Sequence, residues 1–322
     1  MNHLTHYWTA DDAAIARAAA ILRAGGLVAF PTETVYGLGA NALDPTAVAG
    51  IYQAKGRPSN NPLIVHVNDD VSARSLAAAW PASAAALTAA FWPGPLTLVL
   101  PRSERVPDIV TGGGPTVALR SPAHPVARAL IEVAGMPIAA PSANRSSELS
   151  PTRAEHVRAG LDGRIDAILD GGPTTAGIES TVVDLSGIVP RLLRPGPIPL
   201  AMLEALVGPF AMFDPSSGGP LPSPGMLERH YSPHTPLLCL ESIDVEMLMG
   251  RNIGAIVPAP TGVSGVIERV IIPTPEAYAE RLYDLLHELD GLGLDGIVAW
   301  MPPDRPEWLA LRDRLRRASF GS

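Results

Sequence analysis

The sequence has very little cysteine, which limits the stabilising and metal-binding chemistry that it can use. Cys239 is the only cysteine among 322 residues, so an intramolecular disulfide and a cysteine-based metal cluster are both excluded. We expect Cys239 to be a small buried side chain. Residues 1–14 do not have the pattern of a signal peptide, and no apolar run approaches the roughly 18 residues of a membrane span. These absences predict a cytoplasmic protein.

Lysine is also nearly absent, and acidic residues outnumber basic residues overall. Lys55 is the only lysine, although lysine and arginine together number 24, and the formal net charge is −8. A broad basic face for nucleic acid is therefore not expected, and any site for an anion must be a local basic cavity. Because a lysine ammonium is compact and movable in a way that guanidinium is not, Lys55 is a candidate functional residue.

The segment 30–67 (FPTETVYGLGANALDPTAVAGIYQAKGRPSNNPLIVHV) surrounds this lysine. Asp44, which precedes a proline, predicts the start of a helix that ends near Lys55, and residues 63–67 predict a strand. The connection between them is cationic, with Arg57 two positions after the lysine. Connections of this kind often carry functional groups. A solvated basic turn is the alternative interpretation of the same residues.

Hydroxyl and amide side chains are concentrated in three turns at the ends of predicted strands. These turns are Thr32–Tyr36, Ser142–Ser150 and Glu179–Thr181, and two further arginines, Arg120 and Arg194, also lie at strand ends. Taken singly, each turn is compatible with an ordinary bulged strand or a helix cap. Together with the Lys55 connection, they suit a nucleotide that is bound without a P-loop.

Length and composition predict two domains joined by an irregular segment. The hydrophobic fraction is 47%, which is typical of a globular α/β protein. We predict a first domain at 1–207, a Pro/Gly-rich linker at 208–236 and a small α/β domain at 237–322. The last of these has no GxGxxG or Walker motif.

Several local predictions are specific enough to be checked against a structure. We predict a helix at 9–23 with Thr9 as its N-cap, a helix at 70–80, a strand at 178–184 and a strand at 270–272. In the small domain, Thr274 and Pro275 predict the start of a helix with an apolar stripe.

Five motifs of the first domain resemble the YrdC-type threonylcarbamoyl-AMP synthase family. They are PTETVYGLGA, KGRPSNNPL with the following His66, APSAN, GIESTVVD and LRPG. The segment PGMLERHYSPHTP and the domain after it resemble the long, two-domain form of this family. The resemblance implies an α/β (α+β) fold in which a twisted mixed sheet encloses a large basic cavity, followed by a small Rossmann-like C-terminal domain.

The resemblance also implies an activity and a set of site residues. The activity is that of a nucleotidyltransferase that condenses L-threonine, bicarbonate or CO2, and ATP to threonylcarbamoyl-AMP and pyrophosphate, for the threonylcarbamoyladenosine modification of tRNA. The implied catalytic residues are Lys55 and Arg57. The implied ATP-binding residues are Arg57, Asn61, Thr116, Ser142, Asn144, Ser150, Arg194 and Tyr231. The implied threonine-binding residues are Thr34, His66, Arg120, Ala140 through its backbone, and Ser180.

This chemistry needs no protein nucleophile. The amine of threonine captures CO2 as a carbamate, whose oxygen attacks the α-phosphorus of ATP and expels pyrophosphate. The site must align two anions and neutralise charge, which is the task of Arg, Lys and Mg²⁺. We expect Mg²⁺ to enter with ATP, with no metal bound by protein side chains and no organic cofactor. Arg120 and Ser180 would select threonine, and a closing linker with Tyr231 would exclude water.

One residue departs from the family's pattern. Ser147 lies where the family's Ser-Ala-Asn-x-Ser-Gly turn has its glycine, and a Cβ at this position affects the turn that leads to Ser150.

Two other functions compete with this one. The first is a double-stranded RNA-binding module without ATP chemistry, which the net charge of −8 disfavours. The second is a related enzyme that adenylates another carbamoyl compound, but such chains carry zinc-finger-like cysteines. We expect tRNA and its modifying transferase complex to be indirect, downstream partners, and no membrane to be involved. The sequence leaves open the role of the C-terminal domain, the oligomeric state, the metal used in cells and the fate of the product.

Overall fold

The computed structural model describes residues 4–212, 231–243, 248 and 252–320. Within these ranges the helices are α1 (Asp12–Arg23), α2 (Pro45–Lys55), α3 (Asp70–Arg74), α4 (Ala82–Phe91), α5 (Asp108–Thr111), α6 (Pro125–Ala134), α7 (Ala154–Leu161), α8 (Leu200–Val207), α9 (Pro275–Asp290) and α10 (Leu309–Ala318). The strands are β1 (His6–Thr9), β2 (Val28–Phe30), β3 (Gly37–Asn41), β4 (Ile64–His66), β5 (Leu96–Pro101), β6 (Thr116–Arg120), β7 (Ile138–Ala139), β8 (Ala167–Asp170), β9 (Thr181–Asp184), β10 (Arg191–Arg194), β11 (Ala211–Met212), β12 (Leu237–Leu240), β13 (Ile253–Val257), β14 (Ile267–Val270) and β15 (Gly296–Trp300).

The first domain is built on a large mixed sheet. Eleven of the described strands form it, in the order β1-β8-β2-β3-β7-β4-β6-β5-β9-β10-β11. Its central pairs alternate in direction: β4 runs parallel to β6 and antiparallel to β7, while β5 runs antiparallel to β6 and parallel to β9. This mixture of directions confirms the expected fold class.

The second domain has its own small parallel sheet, as the α/β pattern predicted. Its described strands lie in the order β12-β15-β13-β14, and every pair is parallel. Helix α9 packs against this sheet with a buried stripe that includes Tyr278, Leu282 and Leu286. Tyr278 also donates a hydrogen bond of 3.0 Å to the carbonyl of Trp300 in β15.

The two domains pack directly against each other. Val35, Leu149 and Ile178 of the first domain belong to the same buried apolar cluster as the α9 stripe. Gly177 (φ 70°) approaches α9 so closely that a Cβ there would lie 2.2 Å from the carbonyl oxygen of Ala279. Glycine is therefore the residue type that this junction accommodates.

Several helix ends confirm the sequence predictions. The carboxylate of Asp44 accepts a 2.9 Å hydrogen bond from the amide of Thr46 and caps α2, which ends at Gly56 in the left-handed conformation. Thr274 caps α9. The N-termini of α2 and α9 are both predicted by a capping residue that is followed directly by proline, because these signals act through local backbone groups.

Other local predictions are wrong, and long-range pairing explains the largest errors. Thr9 is not an N-cap, because it ends β1 and pairs with Asp170 of β8, and Asp11 caps α1 instead. The helix predicted at 70–80 ends at Arg74, since residues further on pair with the segment after β5: the amide of Ser103 donates to the carbonyl of Leu76 at 2.9 Å.

Two strands also differ from their predicted bounds. Strand β9 begins at Thr181, so Glu179 and Ser180 precede it, and the strand predicted at 270–272 lies instead at Ile267–Val270.

Residues 213–230 of the predicted linker lie outside the described residues. No helix in the described part of the chain combines the length and apolar character needed to cross a membrane. Cys239 is partly buried, and burial raises its pKa to about 12.

Candidate active site

A basic cavity lies where several central strands of the large sheet end. It contains about 490 Å³ of space, including its open mouth. The side chains and backbone that line it come from the connections around β2, β4, β6, β7, β9 and β10. The lining residues are Thr32, Thr34, Val35, Gly37, Arg57, Ile64, His66, Arg120, Ala140, Pro141, Ser142, Glu179, Arg194 and Tyr231.

Sheet register places His66 and Arg120 side by side at one end of this cavity. They are opposite each other on the parallel strands β4 and β6. The guanidinium of Arg120 donates to a carboxylate oxygen of Glu33 at 2.7 Å, and the other oxygen of Glu33 accepts the amide of Ala123 at 3.0 Å. Both charged side chains are nearly buried. The ion pair therefore fixes the direction of Arg120.

His66 is neutral at physiological pH. Burial, and after it the charge of Arg120, lowers the pKa of His66 to about 3. Its Nδ1 atom is buried without a hydrogen-bond partner in the described part of the chain. A neutral imidazole with an uncommitted nitrogen suits a hydrogen bond to a polar ligand group.

A second arginine, Arg194, lies close to Ser180 in the cavity. Its Nε and one terminal nitrogen donate to the carbonyl and hydroxyl oxygens of Ser180, each at 3.1 Å. The hydroxyl of Ser180 is also 2.8 Å from that of Thr97. Ser180 thus lies behind the lining, in a hydrogen-bonded network that positions Arg194.

A third arginine, Arg57, lines the cavity from the connection after α2. It donates to the backbone carbonyls of Asn61 and Pro62 at 3.3 and 3.0 Å. Burial lowers its pKa to about 10, with a smaller contribution from Arg194 in the same direction. Arg57 therefore remains charged near neutral pH. Asn61 is buried, and both atoms of its amide lack a hydrogen-bond partner among the described residues.

Lys55 contacts the loop that carries the lining residue Ser142. Its ammonium donates to the carbonyls of Ser142, at 2.7 Å, and Asn144, and lies 3.5 Å from the amide oxygen of Asn144. The lysine is buried, and burial followed by the charge of Arg57 lowers its pKa. In this arrangement Lys55 positions the Ser142–Ser150 loop and does not line the cavity.

Tyr231 contributes a wall of the cavity from the described end of the predicted linker. It is buried, and its backbone is in the left-handed region (φ 64°). The next residue, Ser232, donates from its amide to the carbonyl of Ser147 at 3.0 Å. Ser147 has a φ of 70°, the left-handed conformation in which glycine is favoured. Arg229 and His230 lie outside the described residues.

The structure brings many of the predicted site residues together. Those that line the cavity are Thr34, Arg57, His66, Arg120, Ala140, Ser142, Arg194 and Tyr231. Those that lie outside the lining are Lys55, Asn61, Thr116, Asn144, Ser150 and Ser180. Thr116 begins β6 and pairs with Pro101 of β5.

Sequence reasoning missed the acidic side chains and the contribution of the second domain. Glu33 and Glu179 both lie within quoted motifs, but neither was assigned a role. Glu179 lines the cavity and contacts Arg314 of α10 and Tyr283 of α9. The position of Glu179 directly before two hydroxyl residues, Ser180 and Thr181, could have drawn attention to it, whereas the sequence around Arg314 contains no motif.

The charged groups of the cavity suit an anionic ligand. No cluster of three or more His, Cys, Asp or Glu side chains suited to a metal ion occurs in the described ranges. Three arginines, by contrast, line one cavity together with hydroxyl groups. The fold and the cavity thus define a two-domain α/β protein with a site for an anionic ligand.

Comparisons with known proteins specify this class further. A family model described as "Telomere recombination" (Sua5_yciO_yrdC) matches residues 20–196. A second, described as "Threonylcarbamoyl-AMP synthase, C-terminal domain", matches residues 198–319. The chain belongs to the Sua5/YciO/YrdC family, in its two-domain form.

Relatives match over nearly the whole chain. A threonylcarbamoyl-AMP synthase of Pyrococcus abyssi is 44% identical over 317 residues, covering 94% of this chain and 93% of the relative. One of Bacillus subtilis is 44% identical over 336 residues, covering 99% and 96%. The crystal structure of P. abyssi Sua5 complexed with L-threonine superposes with a TM-score of 0.90 at 42% identity and covers 99% of this chain and 98% of that one.

Proposed function

We propose that this protein is a threonylcarbamoyl-AMP synthase, which condenses L-threonine, bicarbonate or CO2, and ATP to threonylcarbamoyl-AMP and pyrophosphate. The observation that carries the proposal is the convergence of Arg57, Arg120 and Arg194 on one cavity, in a chain similar over almost its full length to proteins of that name.

The end of the cavity near β4 and β6 suits threonine. Arg120 is held in place by Glu33 and would present its guanidinium to the carboxylate of threonine. Guanidinium groups held in this way bind carboxylates well. Neutral His66 and the hydroxyl of Thr34 offer hydrogen bonds to the amine and hydroxyl of the amino acid. The similarity to a structure complexed with L-threonine supports this placement. Ser180 contacts Arg194 and would act through that arginine.

The end near Arg57 and Arg194 suits the phosphates of ATP. Both guanidinium groups are buried enough to interact strongly with an anion. The buried amide of Asn61 has no hydrogen-bond partner among the residues that the structure describes, and Ser142 lines the wall. Lys55, Asn144 and Ser150 would fix the loop that carries Ser142. Mg²⁺ would enter with ATP as part of the substrate.

The reaction requires alignment and charge neutralisation more than a reactive side chain. With threonine carbamate and the α-phosphate in one cavity, an arginine near each substrate would neutralise the two anions and the charge that develops at phosphorus. Tyr231 would exclude water from the mixed anhydride that forms. The product would then serve a tRNA-modifying transferase, as a downstream and indirect partner.

The RNA-binding alternative has less support. A net charge of −8 disfavours a wide phosphate-binding surface, and the arginines of the cavity are buried. A binding module would retain duplex RNA at moderate salt and would release no pyrophosphate.

The test is pyrophosphate release from ATP by the full-length protein with Mg²⁺, in four reactions that contain or lack L-threonine and bicarbonate. We expect release only when both are present, and mass spectrometry of the quenched reaction to detect threonylcarbamoyl-AMP. Serine and alanine in place of threonine control for amino-acid selectivity. Pyrophosphate release that is independent of threonine, or its absence from all four reactions, would overturn the proposal.

A further inference from the structure

Glu179 places a negative charge in the wall of an otherwise basic cavity. It is the only acidic side chain among the described residues that line it, and it is 6% exposed. One carboxylate oxygen accepts the hydroxyl of Ser150 at 2.5 Å. The other accepts the Nε of Arg314 at 2.6 Å and the hydroxyl of Tyr283 at 3.2 Å. Two of the three partners belong to the second domain.

Arg314 extends from α10 of the second domain to Glu179 in the wall of this cavity. Its side chain is fully buried. Besides the carboxylate of Glu179, it donates to the backbone carbonyl of Pro195 at 3.1 Å and to the carboxylate of Asp313 at 2.6 Å. Glu179 directly precedes Ser180, and Pro195 directly follows Arg194. The guanidinium of Arg314 therefore contacts both of the segments that carry the Ser180–Arg194 network.

The charge of Glu179 opposes the binding of an anion in the same cavity. Burial alone raises the pKa of Glu179, but Arg314, then Arg194 and the hydrogen bond from Ser150, lower it below its usual value. The carboxylate is therefore ionised. At an effective dielectric constant of about 20, unit charges a few ångströms apart interact strongly enough to change an affinity by more than tenfold. Without Arg314, Glu179 would compete with ligand phosphates for Arg194.

Arg314 also contacts the tyrosine that lines the cavity. Its guanidinium carbon lies 5.3 Å from the ring centroid of Tyr231, within the range of a cation–π interaction. The ring of Tyr231 is in turn 5.7 Å from that of Tyr283. One buried arginine thus contacts both the acidic residue and the aromatic residue of the cavity wall.

We propose that Arg314 is a positioning residue of the active site, which neutralises Glu179 so that the cavity accepts the polyphosphate of its nucleotide. The inference rests on the proposed function and makes the second domain an electrostatic part of the site. It assigns Arg314 no direct contact with the reacting atoms.

The experiment measures the binding of inorganic pyrophosphate to the full-length protein by calorimetry. The variants are Arg314→Met, Glu179→Gln and the double variant that carries both changes. Arg316→Met is the matched control, because Arg316 lies on the same helix and is exposed. We expect Arg314→Met to lose about tenfold or more in affinity, the double variant to recover most of this loss, and Arg316→Met and Glu179→Gln to bind at least about as well as the parent.

The affinity recovered in the double variant distinguishes charge compensation from packing. If Arg314 had only a structural role, neutralising Glu179 would not restore pyrophosphate binding. If Arg314→Met does not fold, Glu179→Gln alone still decides the matter: a tenfold loss of pyrophosphate affinity in that folded variant would overturn the inference. Equal affinities of Arg314→Met and Arg316→Met would do the same. Because binding is measured without turnover, a parent protein that binds pyrophosphate but makes no adenylate would refute the proposed function and leave this inference standing.

Discussion

The imidazole rings of His156 and His287 stack across the junction of the two domains, with their centroids 3.9 Å apart. His156 accepts the amide of Thr152 through Nδ1, and His287 lies 3.1 Å from the carbonyl of Ser150. Next to the pair, Arg153 donates to Asp284 of α9 at 2.6 Å. The histidine stack is therefore part of the contact that joins the Ser142–Ser150 loop to the second domain.

This stack predicts that stability falls with acidity. Burial, and after it the neighbouring His287, lowers the pKa of His156 to about 3, and burial also lowers the pKa of His287. His156 is protonated in the unfolded chain below about pH 6.5 but stays neutral in the folded protein down to about pH 3, so the stability present above pH 6.5 is lost as the pH falls through this range. It contributes up to about 1.4 kcal/mol per pH unit, and His287 acts in the same direction. Urea titrations at pH 5.0 and 7.5 measure the difference.

The matched variants are His156→Phe, which keeps a ring without a titrating group, and His6→Phe at an exposed position. We expect His156→Phe to show the weaker pH dependence and His6→Phe to match the parent. An unchanged pH dependence in His156→Phe would refute the assignment.

Lys55→Ala is expected to lose adenylate formation almost completely. The loop that carries Ser142 would lose the ammonium that contacts two of its carbonyls. Because these acceptors would lose their buried donor, we also expect the free energy of unfolding to fall by about 1–3 kcal/mol, with the fold retained. Pyrophosphate release and a urea titration measure the two effects. Gln53→Ala, on the exposed side of α2, is the control, and near-normal turnover of Lys55→Ala would count against a role in the site.

Tyr231→Ala is expected to lower kcat/KM for ATP by about tenfold or more, because it opens a wall of the cavity that excludes water. A chain that ends at Val207 is expected to be inactive and prone to aggregation, since Val35, Leu149 and Ile178 would lose their apolar partners. Tyr7→Ala, at a partly exposed tyrosine, provides the comparison in steady-state assays. Full activity of both altered chains would rule out a closing role for this region.

Ser147→Gly is expected to stabilise the protein by up to about 1 kcal/mol. A left-handed backbone costs a residue with a Cβ roughly 1–2 kcal/mol, and the larger conformational entropy that glycine loses on folding offsets part of this gain. The φ of Ser147 is 70°. Thermal unfolding measures the change, with Ser146→Gly as the neighbouring control. A lower melting temperature for Ser147→Gly than for the parent would show that the serine hydroxyl contributes more than the backbone strain costs.

Much of the fold could be predicted because its signals are local. The cap at Asp44 and the N-terminus of α9 at Thr274 depend on residues within one turn of the helix. The end of α3 and the strand that contains Thr9 depend instead on partners far away in sequence, such as Asp170. A local sequence pattern does not indicate which distant strand will be the neighbour in the sheet.

The same distinction separates the parts of the site. Motif residues such as Arg57 and Arg120 lie at ends of predicted elements, and the structure places both in the cavity lining. Lys55 was predicted from its rarity, but its contact with the Ser142 and Asn144 carbonyls depends on the tertiary structure. Arg314 contacts Glu179 across a separation of 135 residues, and an arginine on a helix rich in arginine gives no local signal.

The pairing of Glu179 with Arg314 also sets an order in time. During synthesis at roughly 5–20 residues per second, the 135 residues from Ser180 through Arg314 take about 7–27 s to add. The Glu179 segment therefore leaves the ribosome well before its cationic partner exists. Until α10 has been made and docked, the carboxylate of Glu179 lacks the guanidinium of Arg314, so this wall of the cavity is completed only after the second domain has been synthesised.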